Sequence, residues 1–414
     1  MCAVSQVKTY CLAIACTALV LLPPLLAISR AGADISLSVI GFIFLMHSML
    51  ERDVSWLRKE VLALFGFWLF MVLSSLINQG HWPEISHALG WVRFPLVYAA
   101  LRYWLLVDRQ RLEWFCSWTV IVLGVVACDA LYQHWDGVSL SGRPMYNGVR
   151  LTGPLSHPNV GNYFTKLMFP ASVLLMYRAL KNDNKIQAVA ILCLILLYSS
   201  VVLLSGERSA SLLMLLGVGT IEFGALVFLP GFRRQLIAFG IVFALMMITL
   251  HSTQNFMHQR SQKLLSDVNN FWHTPYGQLY IGSFTLWKEH PLLGIGPGNF
   301  LTACPPLKNA GIVTYCDMHS HNIHIQALVE TGLLGYACFA LAIVLILIQG
   351  LRTLRHTKDY ERLLPLGGLA ISIIVFFPLI VTQGLFSNWA ASLLWVALGI
   401  GMAVTDMPAK NERA

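Results

Sequence analysis

The sequence predicts an all-α polytopic membrane protein of about twelve transmembrane helices, with a large outer loop containing short helices. Three observations predict it. Of 414 residues, 57% are hydrophobic and only 12% charged, where a soluble domain carries about a quarter charged residues. Mean hydropathy is +0.66. The apolar residues fall in long runs, such as 188–204, 235–250 and 338–348, and a spanning helix needs about 20 mostly apolar residues. The strand alternation of an outer-membrane barrel is absent.

In chain order, spans are expected near 10–28, 35–50, 61–77, 88–106, 114–133, 158–177, 186–204, 209–230, 236–251, 326–349, 364–382 and 389–404. The first begins with a short lysine-bearing segment, as a signal peptide would. Arg30 to Asp34 and a second span follow at once, which favours a retained helix. Lys and Arg then set the orientation. With the first segment inside, the inner segments hold Arg52, Arg58, Lys59, Arg109, Arg111, Arg233, Arg234, Arg352, Arg355, Lys410 and Arg413, among others. The outer side holds fewer, despite its longer loops. Both termini are therefore expected in the cytoplasm. The formal charge of +8 is read as this topology signal, with no nucleic-acid partner.

The chain accordingly divides into a transmembrane scaffold (1–133), helices with a periplasmic loop and an arginine turn (134–251), a large periplasmic loop (252–325) and C-terminal transmembrane helices (326–414). Within the large loop, 255–271 and 276–289 have apolar residues at helical spacing. Two short helices are expected there, lying over the outer mouth of the bundle. Glycines in 291–300 allow tight turns. Most of the nine cysteines lie in spans, where a thiol behaves as a small apolar group. Cys304 and Cys316 share the outer loop, and a disulfide across the Pro305-Pro306 turn is expected in an oxidising periplasm.

Eleven of the thirteen histidines, including His81 and His258, fall at or beyond the outer boundary; His47 and His356 do not. In the fourth span, Arg102 lies near the inner end and is expected to snorkel. Arg93 is nearer the outer side, where facing a cavity is one reading.

Three constellations can carry chemistry. In the first, His319, His321, Asn322 and His324 lead into a span that continues with Gln326 and Glu330. Polar groups at this depth are usually functional. His321 and His324 would share a helical face. A histidine near its ordinary pKa of about 6.5 is a sound general base for a sugar hydroxyl, and Glu330 could orient it. The rival is a zinc site of three imidazoles. Adjacency does not make their nitrogens converge, and of the acidic residues only Asp317 is near, so no metal is expected.

The second constellation is Ser-Gly-Glu-Arg-Ser-Ala-Ser, 205–211. Arg208 starts a helix at the bilayer boundary, where a guanidinium fork and helix-terminal amides suit phosphate oxygens. The plainer reading is a topological anchor or a pair with Glu207. Arg143 and Arg150 could add outer positive charge. The third is 155–163, in which Pro158 suits a first helical turn and His157 and Asn159 could shape the entrance or bind sugar. The first outer loop offers one aspartate, Asp34, and not the paired carboxylates that hold a divalent cation. A cation-independent reaction without cofactors is favoured.

His321-Asn322, nine residues, then Gly332-Leu-Leu-Gly335 resembles the histidine motif of bacterial O-antigen ligases. The Pro-Leu-Leu-Gly-Ile-Gly-Pro-Gly-Asn-Phe run at 291–300, the Gly-Pro-x-x-His-Pro-Asn entry at 153–159 and the Ser-x-x-Arg-Ser-Ala turn resemble the wider superfamily, which includes O-antigen polymerases and some protein O-oligosaccharyltransferases. The resemblance covers roughly 140–345 as motifs. It implies a GT-C-like glycosyltransferase in the bacterial inner membrane, acting in lipopolysaccharide biosynthesis on the periplasmic face. Its partners would be an undecaprenyl-diphosphate-linked glycan, a lipid A-core acceptor and the phospholipid bilayer; no oligomeric state is implied. By position, His321 corresponds to the candidate base and Arg208 to a diphosphate-binding arginine, with Arg143 and Arg150 carried over more weakly. The histidine-motif spacing favours the ligase over the polymerase. A lipid-oligosaccharide flippase or an assembly protein are readings from other classes. A flippase would need charge through the membrane interior, whereas these groups gather at one face.

Overall fold

The computed structural model describes residues 2–78 and 82–408. His81, Lys410 and Arg413 lie outside the described residues, as do the side chains of His258 and Arg260. The described chain is helical, and its β structure is limited to isolated bridges at 138–144 and 146–150.

Helices α1 (Cys2–Ile28), α2 (Arg30–Glu51) and α3 (Lys59–Ile77) match the first three expected spans. The fourth is broken into α4 (Trp82–Gly90) and α5 (Arg93–Ala100). Pro95 explains the break: it has no amide hydrogen, and its ring crowds the carbonyl four residues back, that of Trp91. A π-helical turn, Leu101–Leu105, extends α5. Then come α6 (Arg109–Asp136), α7 (Val160–Lys181), α8 (Lys185–Leu204), α9 (Arg208–Phe228) and α10 (Arg233–Thr253). The long loop carries α11 (Asn255–Asn269) and α12 (Pro275–Glu289), as expected, and also α13 (Phe300–Asn309). Pro305 and Pro306 lie inside α13, so the expected turn there is helix instead. Finally come α14 (Ile323–His356), α15 (Leu363–Phe376) and α16 (Asn388–Thr405).

Among the described residues, nine helices are long and apolar enough to cross a membrane: α1, α2, α3, α6, α8, α9, α10 (with the turn before it), α14 and α16. The other three expected spans coincide with α5, α7 and α15. At 1.5 Å per residue, the fourteen residues of α15 reach only about 21 Å. The span expected to 382 therefore ends as helix at Phe376 and continues as the non-helical segment 377–387.

Helices α15 and α16 are apolar on all sides, the pattern of a helix buried in the bundle. In α16 every residue from Trp389 to Thr405 is buried. Trp91 packs edge-to-face on its Trp395, within an aromatic cluster that includes Phe67, Phe94, Phe339 and Phe386. At the end away from the long loop, Arg102 is fully buried and does not snorkel. Its Nε is 2.8 Å from Asp406 Oδ2 and its Nη1 is 3.0 Å from Glu60 Oε1. Gln349 Nε2 donates to the same aspartate at 3.1 Å. Two carboxylates outweigh the reach to water, so α3, α5, α14 and the end of α16 are tied together. Arg93 also turns inward, to Asp34 at 2.7 Å, which engages the lone aspartate of the first loop.

Candidate functional site

The starts of α7, α9, α14 and α16 and the end of α15 meet at the end of the bundle that carries the long loop. Arg208 is the first residue of α9, as the sequence predicts. A Cβ on Gly161 would lie 2.6 Å from Ser205 Oγ and 3.1 Å from Glu207 Oε1, so only glycine lets α7 pack on this turn. Glu207 is buried and faces α7, accepting hydrogen bonds from the Gly161 amide at 2.7 Å and Asn162 Nδ2 at 2.6 Å. Burial pushes its carboxyl up to about 7, against the pull of Arg150, the Gly161 amide and Asn162. Asn162 Oδ1 accepts from Lys166 Nζ at 2.9 Å. Arg208 pairs with Asp267 of α11, at 2.9 Å, and not with Glu207.

The segment 137–157 is clamped from below by Gln133, whose Nε2 donates to Arg143 O and Thr152 Oγ1 at 2.9 Å, and whose Oε1 accepts from the Thr152 and Gly153 amides. The Leu151 amide donates to Ser205 O, docking this segment on the arginine turn. Arg150 Nη2 donates to Pro158 O at 2.9 Å, and its charge acts on Glu207. The charges of Arg143 and Arg30 both act on His157. Slight desolvation and those two positive charges lower the His157 pKa. Pro158 precedes the helix and is not in its first turn, because Asn159 takes the cap position with φ −121° and ψ 15°. The Asn159 side chain makes no capping bond.

The histidine segment departs from the helix expected through His321 and His324. Asn322 is the N-cap of α14: extended backbone, with Oδ1 accepting from the His324 and Ile325 amides at 3.0 and 3.2 Å. This is what asparagine does best at a helix start. His321 therefore lies outside the helix, with left-handed φ of 54°, and shares no helical face with His324. Its Nε2 is 3.2 Å from Asp317 Oδ2 and its Nδ1 3.3 Å from Thr382 O. Partial burial works against the Asp317 carboxylate, but hydrogen bonds from the Met318 amide and His321 outweigh it and hold its pKa below the usual range. The His319 ring lies 4.1 Å from that of His321. Burial, with His321 second, pushes His319 down to about 4. His324 turns away, with Nε2 2.9 Å from Phe376 O and Nδ1 3.4 Å from Tyr336 Oη. The three imidazoles do not converge. Among the described residues, no group of three or more His, Cys, Asp or Glu is arranged to hold a metal.

Four residues of this motif grip one stretch of main chain, 376–385, between α15 and α16. Asn322 Nδ2 donates to Pro378 O at 2.7 Å, and the Thr382 amide to His321 O at 2.7 Å. Gln326 Oε1 accepts from the Leu385 amide at 2.7 Å, and His324 meets Phe376 O. Sequence reading missed this strap, because it is held through backbone atoms and lay partly inside an expected span. Its Pro378 and its Thr-Gln-Gly run were the available signal. Beneath it, a small cavity of about 30 Å³ is bounded by Asn162 and Lys166 on one side and by Ile323, Thr382 and Gly384 on the other. It joins the neighbours of the arginine turn to those of the histidine segment.

Glu330 does not touch His321. Its Oε2 accepts from the Gly298 amide and its Oε1 from Gln326 Nε2, at 3.1 Å. This fastens the run at 291–300 against α14. The Ile295 and Gly296 amides donate to Val329 O and Glu330 O at 3.0 Å, and the Leu333 amide to Pro291 O at 2.9 Å. Gly294 and Gly332 meet backbone to backbone, and Gly332 breaks α14 with φ 66° and ψ −172°. The two glycine motifs are thus one clasp. Cys304 and Cys316 form a disulfide with Cα atoms 5.8 Å apart, within a second small core that includes Leu279, Phe300, Leu307 and Val329.

No curated protein matches the chain. Residues 191–340 match the family described as O-antigen ligase. The match is a minority of the chain, but it runs from α8 past the kink of α14, taking in the arginine turn, the loop helices, the disulfide, the histidine segment and the glycine clasp. The chain is thus a multi-pass helical membrane protein, with nine candidate spans among the described residues, whose residues 191–340 are similar to the O-antigen ligase family.

Proposed function

We propose that the protein is an O-antigen ligase: a metal-independent, inverting glycosyltransferase of twelve spans in the bacterial inner membrane. It moves O-antigen glycan from undecaprenyl diphosphate to a terminal sugar of the lipid A core, on the periplasmic face. The observation that supports this best is that the arginine turn and the histidine segment approach one water-sized space beneath the strap, lined by Asn162, a partner of Glu207, and by Thr382, a partner of His321. Donor phosphates and acceptor hydroxyl would meet on the outer side of these two segments.

In this reading His321 removes the acceptor proton as the oxygen attacks the anomeric carbon. The bond from that carbon to the phosphate oxygen breaks, and its electron pair leaves with the diphosphate. Arg208, with the amides at the head of α9, stabilises the growing charge, a kind of contact whose removal typically costs about 3–4 kcal/mol. Arg150 adds positive charge beside the turn. Arg143 and His157 line a more distant approach. Asn322, His324, Gln326 and Glu330 shape the site through the strap and the clasp. The loop helices keep water from hydrolysing the donor. The spacing from His321 to Gly335 favours ligation over polymerisation.

Purified protein with undecaprenyl-diphosphate glycan and lipid A-core should transfer glycan, equally with and without chelator. His321→Ala should abolish transfer while leaving donor binding intact. Joining of donor glycans to each other, with none on the core lipid, would make the protein a polymerase. Near-normal turnover by His321→Ala would reassign the base.

A further inference from the structure

His321 sits between two groups that can only accept hydrogen bonds: the Asp317 carboxylate at Nε2 and the Thr382 carbonyl at Nδ1. A neutral imidazole has one N–H and one lone pair, so it can satisfy only one of them. The carboxylate has the stronger claim, since bonds to an ionised partner are about twice as strong as neutral ones. Asp317 is kept in place for that role. The Met318 amide donates to its Oδ1 at 2.7 Å and Tyr315 Oη to its Oδ2 at 3.1 Å. The backbone points the same way. A left-handed φ at a residue other than glycine is strained and persists only when its surroundings impose it; here the Thr382 amide fixes the His321 carbonyl.

We infer that Asp317 is the positioning residue of His321. It holds the proton on Nε2 and so makes Nδ1 the atom that receives the acceptor's proton. The Thr382 carbonyl, a long contact at 3.3 Å, gives way to the acceptor hydroxyl, which donates to Nδ1; the proton passes to Nδ1 and the imidazolium is held at Nε2 by the Asp317 carboxylate. The acceptor oxygen meanwhile bonds to the anomeric carbon, and the electron pair of the broken bond stays on the diphosphate. The other titratable groups facing His321 are His319, 4.1 Å away and pushed towards neutrality, and Tyr276 of α12, with ring centroids 5.7 Å apart. Neither offers a second acceptor to Nε2 in this arrangement. The inference rests on His321 being the base.

The test is Asp317→Asn in the full-length protein, which keeps the shape and removes the charge. General-base assistance contributes about 10²–10⁴-fold, so kcat should fall at least tenfold with little change in KM. Nitrogen NMR of labelled protein, with His321 assigned by its own variant, should show the Nε2–H tautomer in the parent and a mixture in Asp317→Asn. Tyr315→Phe removes only one support from the carboxylate and should lower kcat a few-fold; it serves if Asp317→Asn does not fold. Unchanged kcat and an unchanged tautomer in whichever variant folds would overturn the assignment of Asp317. His321→Ala separates the two failures: its activity would overturn the base, its inactivity would leave the base standing.

Discussion

Arg208 Nη1 lies 2.9 Å from Asp267 Oδ2, so the guanidinium at the head of α9 already holds a carboxylate carried by loop helix α11. With each side chain 28% exposed, such a pair contributes about 0–1 kcal/mol. That is weak enough to be displaced by a diphosphate and strong enough to compete with one.

Asp267→Asn should therefore lower KM for the lipid-linked donor by up to about fivefold, the equivalent of 1 kcal/mol, with kcat little changed. Added salt should shrink the difference between variant and parent. Equal KM values at low ionic strength would show that Asp267 and donor do not compete for Arg208.

The glycine clasp gives a contrast within one loop. Gly332 has dihedrals that are essentially reserved for glycine, and a Cβ there would lie 2.2 Å from the Leu292 carbonyl carbon. Gly298 also has a left-handed φ, of 83°, but a Cβ there meets open space. Gly332→Ala should destabilise by more than about 3 kcal/mol, combining strain with overpacking. Gly298→Ala should cost only about 1–2 kcal/mol, the strain of the left-handed backbone alone. Thermal unfolding of both in detergent measures the order, and comparable melting temperatures would contradict the clasp.

His319 makes stability depend on acid. Its folded pKa is about 4, depressed by burial from the ordinary 6.5. Between those values the unfolded chain binds a proton that the folded protein excludes, so stability falls as pH drops from 6.5 towards 4 and returns as pH rises. The loss from this residue is up to about 3 kcal/mol. His319→Gln should melt with a smaller difference between pH 7 and pH 4.5 than the parent. An identical difference would mean that His319 is protonated without penalty.

The elements whose logic is local were legible in the sequence. Apolar runs marked the helices, and Arg208 fell at the head of α9 because the polar turn 205–207 leaves it nowhere else. Cys304 and Cys316 were the two cysteines that topology placed in one outer loop. What failed were inferences that carried a helical period across a cap. Asn322 ends that period, so the spacing of His321 and His324 lost its geometric meaning. Arg102 was misjudged because its partners, Glu60 and Asp406, are far away in the chain. The strap 376–385 was marked in the sequence only by Pro378 and the Thr-Gln-Gly run, since the groups it offers to its partners are main-chain carbonyls and amides. Asp317 stood out only as the one acid near the histidines, and Asp267 not at all, until the fold aimed them at His321 and Arg208.

The most enclosed helix, α16, follows in chain order all the helices that surround it. Asn322, His324 and Gln326 likewise close on a strap that is translated after them. The ribosome thus delivers the wall of this bundle before its centre. Until α15 and α16 are made, the histidine segment has nothing to grip, and a half-made chain holds no assembled site.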